Sequence, residues 1–355
     1  MAQSNPFTGS FDGQKNSITN LNIDVTTDYQ GMFGNLKGVY YQEATVKDLS
    51  LLNCSVTGGD YIGGLIGNID YYGTVENCNI TGTIKGGSAT GGTTGGIAGL
   101  SRGTVKNSYS AAGVTGISSA STGGLVGQNS NNGVIQNCYS TGSVSGAVSR
   151  TGGLVGNNWG AIQSCYSTGD VTGNSTVGGL VGVNGGIVQN CYSNSTVTGF
   201  DTVGGLVGQN GDGTIQYCYT TGTVACDDKG YGGVAGVAGS HSGTNSKVRN
   251  SVALNPSLRC PTNNFMRVAV MMTVNTMKNN YARSDMVTTY LANPGWYPTV
   301  GLDTGDGQSV SATTYNTYNF WTTAANWDGA AWDLDTIWQW IGILPTLRNM
   351  PAGNQ

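Results

Sequence analysis

Pairs of adjacent glycines return at residues 63, 95, 123, 152, 178, 204 and 232, with successive gaps of 32, 28, 29, 26, 26 and 28 residues. A small residue keeps step with them: Cys78, Ser108, Cys138, Cys165, Cys191, Cys218 and Ser251. Two markers advancing together define a tandem repeat, and its period restricts the fold. Two-helix repeats and propeller blades run longer, and the Leu-x-x-Leu-x-Leu spacing of leucine-rich repeats is absent. Every unit carries several Gly and many β-branched residues, which disfavours helix. Short strands joined by Gly and Asn turns remain. The expected fold is an all-β parallel β-solenoid, a right-handed β-helix of eight to nine coils. An early coil runs from Gly31-Met32-Phe33-Gly34 to Cys54, and a worn ninth passes through Met277, Asn280, Tyr281 and Met286.

The expected division is an N-terminal cap with the first strands over 1–30, solenoid coils over 31–260, a degenerate coil over 261–290 and a Trp-rich C-terminal cap over 291–355. Six of the seven Trp fall in that last segment, five of them (Trp321, Trp327, Trp332, Trp338 and Trp340) close together. Such a cluster reads as the core of a cap, which an open solenoid needs to cover its strand edges.

Side-chain alternation assigns faces. Counting from each marker, position −3 is aliphatic (Val75, Val105, Ile135, Ile162, Val188, Ile215, Val248), as is +6 (Ile84, Val114, Val144, Val171, Val197, Val224). Both are read as buried ladders. Positions −3 and 0 differ in parity, so the chain must bend or bulge between them. Asn at −1 (Asn77, Asn107, Asn137, Asn190, Asn250) suits such a corner and predicts a stacked Asn ladder there.

Positions +1, +3, +5 and +7 are expected to face solvent. The +1 row is Tyr109, Tyr139, Tyr166, Tyr192 and Tyr219; Thr141, Thr168 and Thr221 follow at +3. With coils about 4.7–4.9 Å apart, these rows form a Tyr stripe beside hydroxyls. One reading is a face that binds a sugar chain, because Tyr joins an apolar ring to a polar tip. The other is that stacked Tyr favours strand packing and register.

Charged residues make up only 10% of the chain and the net charge is −4, which leaves no basic footprint for nucleic acid. No apolar run approaches the roughly 18 residues of a membrane span. The opening Met-Ala-Gln-Ser-Asn-Pro lacks the regions of a signal peptide. That fits an intracellular chain, one that starts after a removed signal, or one inside a longer protein.

Six Cys occupy the marker position that Ser takes elsewhere, so they are expected to be buried thiols. Cys226 and Cys260 lie off that ladder, and either a bridge or two thiols would suit them. The single histidine, His241, is expected in a surface loop. Asp227-Asp228, and Asp303 with Asp306, lack a partner cluster, and the second pair lacks the ligand spacing of a calcium loop. No catalytic, metal or cofactor motif is visible.

The units Gly-Gly-Leu-Val-Gly-Gln-Asn (123–129 and 204–210) and Gly-Gly-Leu-Val-Gly-Asn-Asn (152–158) resemble the bacterial GLUG motif, as do the Cys-Tyr-Ser-Thr-Gly-x-Val stretches from Cys138 and Cys165. The opening Phe-x-Gly-x-Phe-Asp-Gly and the closing Leu-Pro-Thr-Leu look like features that accompany this repeat. Coil one departs with Met-Phe, coil three with Ile-Ala and coil eight with Val-Ala, all still apolar. The family occurs in large surface proteins, including adhesin-like chains and immunoglobulin-A-cleaving metallopeptidases. The resemblance implies a non-catalytic extracellular or cell-surface module, a stalk or adhesin whose partner is a glycan or a host or cell-surface component. No peptidase motif is present to carry that activity over. A carbohydrate-active enzyme on a β-helix and an ice-binding solenoid are the alternatives. The first would need clustered carboxylates, and the interleaved Tyr, Asp170 and Lys85 count against the second.

Overall fold

A computed structural model describes residues 5–40, 42–86, 91–227, 232–261, 265–271, 276–290 and 300–351. The repeat winds into a parallel β-solenoid of about nine turns, visible as a nine-stranded sheet from Phe33–Leu36 to Ala269–Met271. An eight-stranded sheet and a large sheet of short segments complete the walls. One coil shows the plan: Ser121–Gly123, then Val126–Asn129, then Val134–Gln136, Tyr139–Ser140 and Val144–Gly146. Each strand pairs in parallel with its counterpart one coil away, as in Val126↔Val155 and Ile135↔Ile162.

The Gly-Gly pairs owe their place to room. A Cβ on Gly178 would run into the carbonyl oxygen of Val181, and one on Gly179 into that of Gly205. The chain turns there between two walls so tightly that neighbouring backbones touch. In coil eight the register corrects the sequence alignment. Val207 pairs with Ala238 and Gly204 with Ala235, so the corner is Ala235-Gly236 and not Gly232-Gly233.

Both aliphatic ladders are inside. Val75 through Val248 at −3 are fully buried, and Ile84 through Val224 at +6 are at most 1% exposed. The parity break between them is a left-handed residue at −1. Asn77, Asn107, Asn137, Asn190 and Asn250 have φ between +50° and +54°, and Asp48, Ser164, Tyr217 and Asn279 do the same; in the first coil Leu49 holds the marker row and Cys54 lies off it, level with Gly82. Asn tolerates this region better than most residues. The marker then closes the bulge. Cys138, Cys165, Cys191 and Cys218 each donate an S–H to the carbonyl two residues back at 3.0–3.2 Å. Ser108 and Ser251 donate O–H to the equivalent carbonyls at 2.8 Å. Cys and Ser therefore interchange because both are small donors.

A second ladder, unseen in the sequence reading, runs along the Asn that ends each Gly-Gly-Leu-Val-Gly-x-Asn unit. Asn129 donates to Asn158, Asn158 to Asn184 and Asn184 to Asn210, each at 2.8 Å. The other amide hydrogens hold turn carbonyls, such as Gly133 and Gly213. His241 occupies the next rung, fully buried, with Nδ1 3.2 Å from the Asn210 amide and Nε2 2.7 Å from Thr276 Oγ1. The surface-loop expectation for His241 is corrected: its register partner is Asn210, inside the wall. Cys226 and Cys260 are buried thiols, and the first donates to the Phe200 carbonyl at 3.0 Å.

At the start, Ser10–Thr19 and Asn22–Asp24 pair with Ala44–Thr57, and Phe7 and Phe11 pack on Phe33. At the far end, Gly305 accepts hydrogen bonds from the N–H groups of Val268 and Ala269. Asp303 and Asp306 accept backbone N–H bonds from Asn279 and Arg267, so both act as ties at this end. Among the described residues no group of three or more metal-ligating side chains exists, and no helix is long and apolar enough to cross a membrane.

Candidate functional site

Alternation places the +1 tyrosines on the outside of the coil, and the structure stacks them in one column. Tyr109, Tyr139, Tyr166, Tyr192 and Tyr219 follow with ring centroids 4.7–5.0 Å apart and planes within 5°. The spacing is that of the coils, so the stack is a consequence of in-register winding.

The column is not a solvent-facing stripe. Tyr139, Tyr166, Tyr192 and Tyr219 are at most 5% exposed, because the Trp-rich segment folds back along this flank. Short helices at Ala312–Tyr315 and Tyr318–Thr322 lead into the antiparallel pair Trp338–Trp340 and Pro345–Leu347. Trp321, Trp327, Trp332 and Trp338 form the core of this cover, with Trp338 against Tyr192 and Tyr219. Tyr219 donates to the Pro345 carbonyl at 2.8 Å, and Tyr217 to that of Ala330 at 3.3 Å. Burial pushes the Tyr139, Tyr166, Tyr192 and Tyr219 phenols well above their ordinary value, with neighbouring phenols adding to the effect in the first three. Four of the five predicted ring platforms are thus occupied by the chain itself. Sequence patterning showed which way the rings point and could not show what lies on them.

Described residues line two openings at the margins of the cover. The first is a crevice of about 560 Å³ between Thr168, Asn194 and Thr221 and the hairpin tip from Ile341 to Leu344. Thr221 and Thr168 are half-buried there, and Thr221 donates to Asn194 at 2.8 Å. Thr141 is half-buried on the same row. The second is a more polar groove of about 780 Å³ at the N-terminal end of the Tyr column, lined by Tyr109, Asn79, Asn107, Asn137 and the tail residues Met350 and Pro351. Tyr109 is the half-buried member of the predicted row. Sequence reading took Asn107 and Asn137 for turn formers in a stacked corner ladder, and nothing in the pattern indicated that residues 349–351 return to the early coils.

Matches to the family model described as the GLUG motif cover residues 58–85, 118–145, 147–172, 173–198 and 202–225. Halomucin of Haloquadratum walsbyi is 39% identical over 79 residues, 22% of this chain and 1% of that protein. The chain thus spans a very small part of the length of that relative. A solved structure of a proposed immunoglobulin A1 protease from Bacteroides ovatus aligns over 95% of this chain and 76% of that one. Its TM-score of 0.36 at 18% identity is too loose to carry over fold detail or activity. The chain carries the GLUG-motif repeat in five coils of its solenoid, the last four of them consecutive.

Proposed function

We propose that the chain is a non-catalytic structural module of a surface protein, a stiff stalk segment built by stacking one unit. The observation that carries this reading is the continuity of its ladders. The −3 aliphatic column and the donor-closed bulge repeat with the same geometry along the solenoid. Each added coil extends the rod by about 4.8 Å without a new core. A low charge content and a surface rich in Ser, Thr and Asn suit exposure to solvent. The GLUG repeats and the stretch shared with halomucin, a protein named as a mucin, support a place at the cell surface.

Antibodies raised against the purified chain test the location. They are expected to label intact cells of the source organism; labelling only after permeabilisation would overturn it. Incubation with polysaccharides tests the absence of catalysis. New reducing ends above a heat-treated control would replace the stalk reading with a carbohydrate-active enzyme.

A further inference from the structure

The stack of five rings ends at Tyr109 because coil two places Asn79 where a sixth Tyr would stand. Register pairs Tyr109 directly with Asn79, and Asn79 with Ser50. Among the described residues, no ring lies on the face of Tyr109 turned from Tyr139. Asn79 does not fill the gap, since its amide nitrogen turns to the Ser50 hydroxyl at 2.8 Å. The tail at Met350 and Pro351 walls the opposite side, and the groove between them holds about 780 Å³.

We infer that this groove is a sugar-binding subsite, taking one neutral pyranose of a glycan with its apolar C–H face on the open ring of Tyr109. The sugar would continue the stack at the coil spacing, in place of the missing ring. A pyranose needs an aromatic face beside converging amides and hydroxyls, and the groove offers both. The corner ladder runs along its edge. Asn137 donates to the Asn107 oxygen at 3.2 Å, so Asn107 still has its own N–H pair to offer vicinal hydroxyls. Asn77 donates to Asp48 at 3.0 Å and keeps its carbonyl oxygen as an acceptor. The volume lies within the roughly 300–1,000 Å³ of small-molecule sites. The mixed lining separates this groove from the apolar crevice beside Ile341 and Ile343. The subsite stands or falls independently of the stalk role.

Saturation-transfer NMR with the methyl glycosides of glucose, galactose, mannose, N-acetylglucosamine and N-acetylgalactosamine, at millimolar concentration, tests the site. Transfer to the ring C–H protons of at least one is expected. Tyr109→Ala is expected to weaken its binding about tenfold, and Asn107→Asp, which removes the N–H pair while tolerating the left-handed backbone, severalfold. Should Tyr109→Ala fail to fold, Asn79→Tyr decides the matter. That substitution puts the sixth ring into the gap and is expected to abolish binding without lowering the melting temperature. No transfer to any of the five glycosides overturns the site, as does binding that survives Asn79→Tyr unchanged.

Discussion

The phenol of Tyr219 donates a 2.8 Å hydrogen bond to the carbonyl oxygen of Pro345, joining the solenoid wall to a segment 126 residues later. Both partners are buried, and Tyr219 also packs on Trp338 and Trp332. Tyr219→Phe keeps the packing and leaves the Pro345 oxygen without a partner. The expected cost is about 1–3 kcal/mol, read as a lower urea midpoint when Trp fluorescence follows unfolding. Tyr192→Ala removes a whole ring from the covered column and is expected to cost about 3–5 kcal/mol. An unchanged midpoint in both variants would show that the Trp segment does not rest on the column.

The same burial makes the protein sensitive to alkali. The buried phenols have folded-state pKa values raised above their ordinary value of 10.0. Above that pH the unfolded chain loses phenolic protons that the folded chain keeps, so stability is complete below pH 10.0 and falls as pH rises further. In a spectrophotometric titration the column phenols are expected to stay protonated above pH 10.0 for as long as the fold holds. The column should ionise only with loss of the near-ultraviolet circular dichroism of its Trp cover. Simultaneous ionisation of all tyrosines in the folded protein would contradict the stacked, covered column.

The coils were legible in the sequence because a solenoid repeats its physics with its residues. Val at −3, Asn at −1 and Cys or Ser at the marker each recur since each coil solves the same problem of core, corner and closure. The features that escaped are those made once. His241 stands where the pattern has Asn, and its burial shows only when coil eight is registered on Asn210 instead of on Gly232. The cover over Tyr139–Tyr219 depends on a non-repeating segment whose Trp residues carry no period. Alternation reads the outside of one wall, and solvent exposure depends on what a distant segment does with it.

Bulge closure by the marker predicts an order of substitutions. Cys191 donates to the Gln189 carbonyl at 3.0 Å, as Ser108 and Ser251 do to the corresponding carbonyls in their coils. Cys191→Ser is expected to change stability by less than about 1 kcal/mol, while Cys191→Ala loses the donor and costs about 1–3 kcal/mol. Burial also shields the thiols from reagents, and it pushes Cys54 up to about 11 and Cys78 up to about 12. Iodoacetamide at pH 8 should leave the native protein unmodified and label all eight cysteines in urea, as counted by mass spectrometry. Rapid labelling of the native ladder would mean that the coils open.

At His241 the amide ladder meets a titratable group. The Asn210 amide donates to Nδ1, which fixes the neutral tautomer with its proton on Nε2, directed at Thr276. Burial favours that neutral form and lowers the imidazole pKa from 6.5 to about 4. Between these values the unfolded chain binds a proton that the folded chain refuses. The stabilisation is therefore complete above pH 6.5 and is lost as the pH falls through about 4, by on the order of 3 kcal/mol in full. His241→Asn would continue the ladder with a fifth amide that does not titrate. The urea midpoint of the native protein should drop further from pH 7 to pH 4.5 than that of His241→Asn, the difference isolating the imidazole from the carboxylates common to both. Equal drops would mean that His241 accepts a proton without leaving its rung.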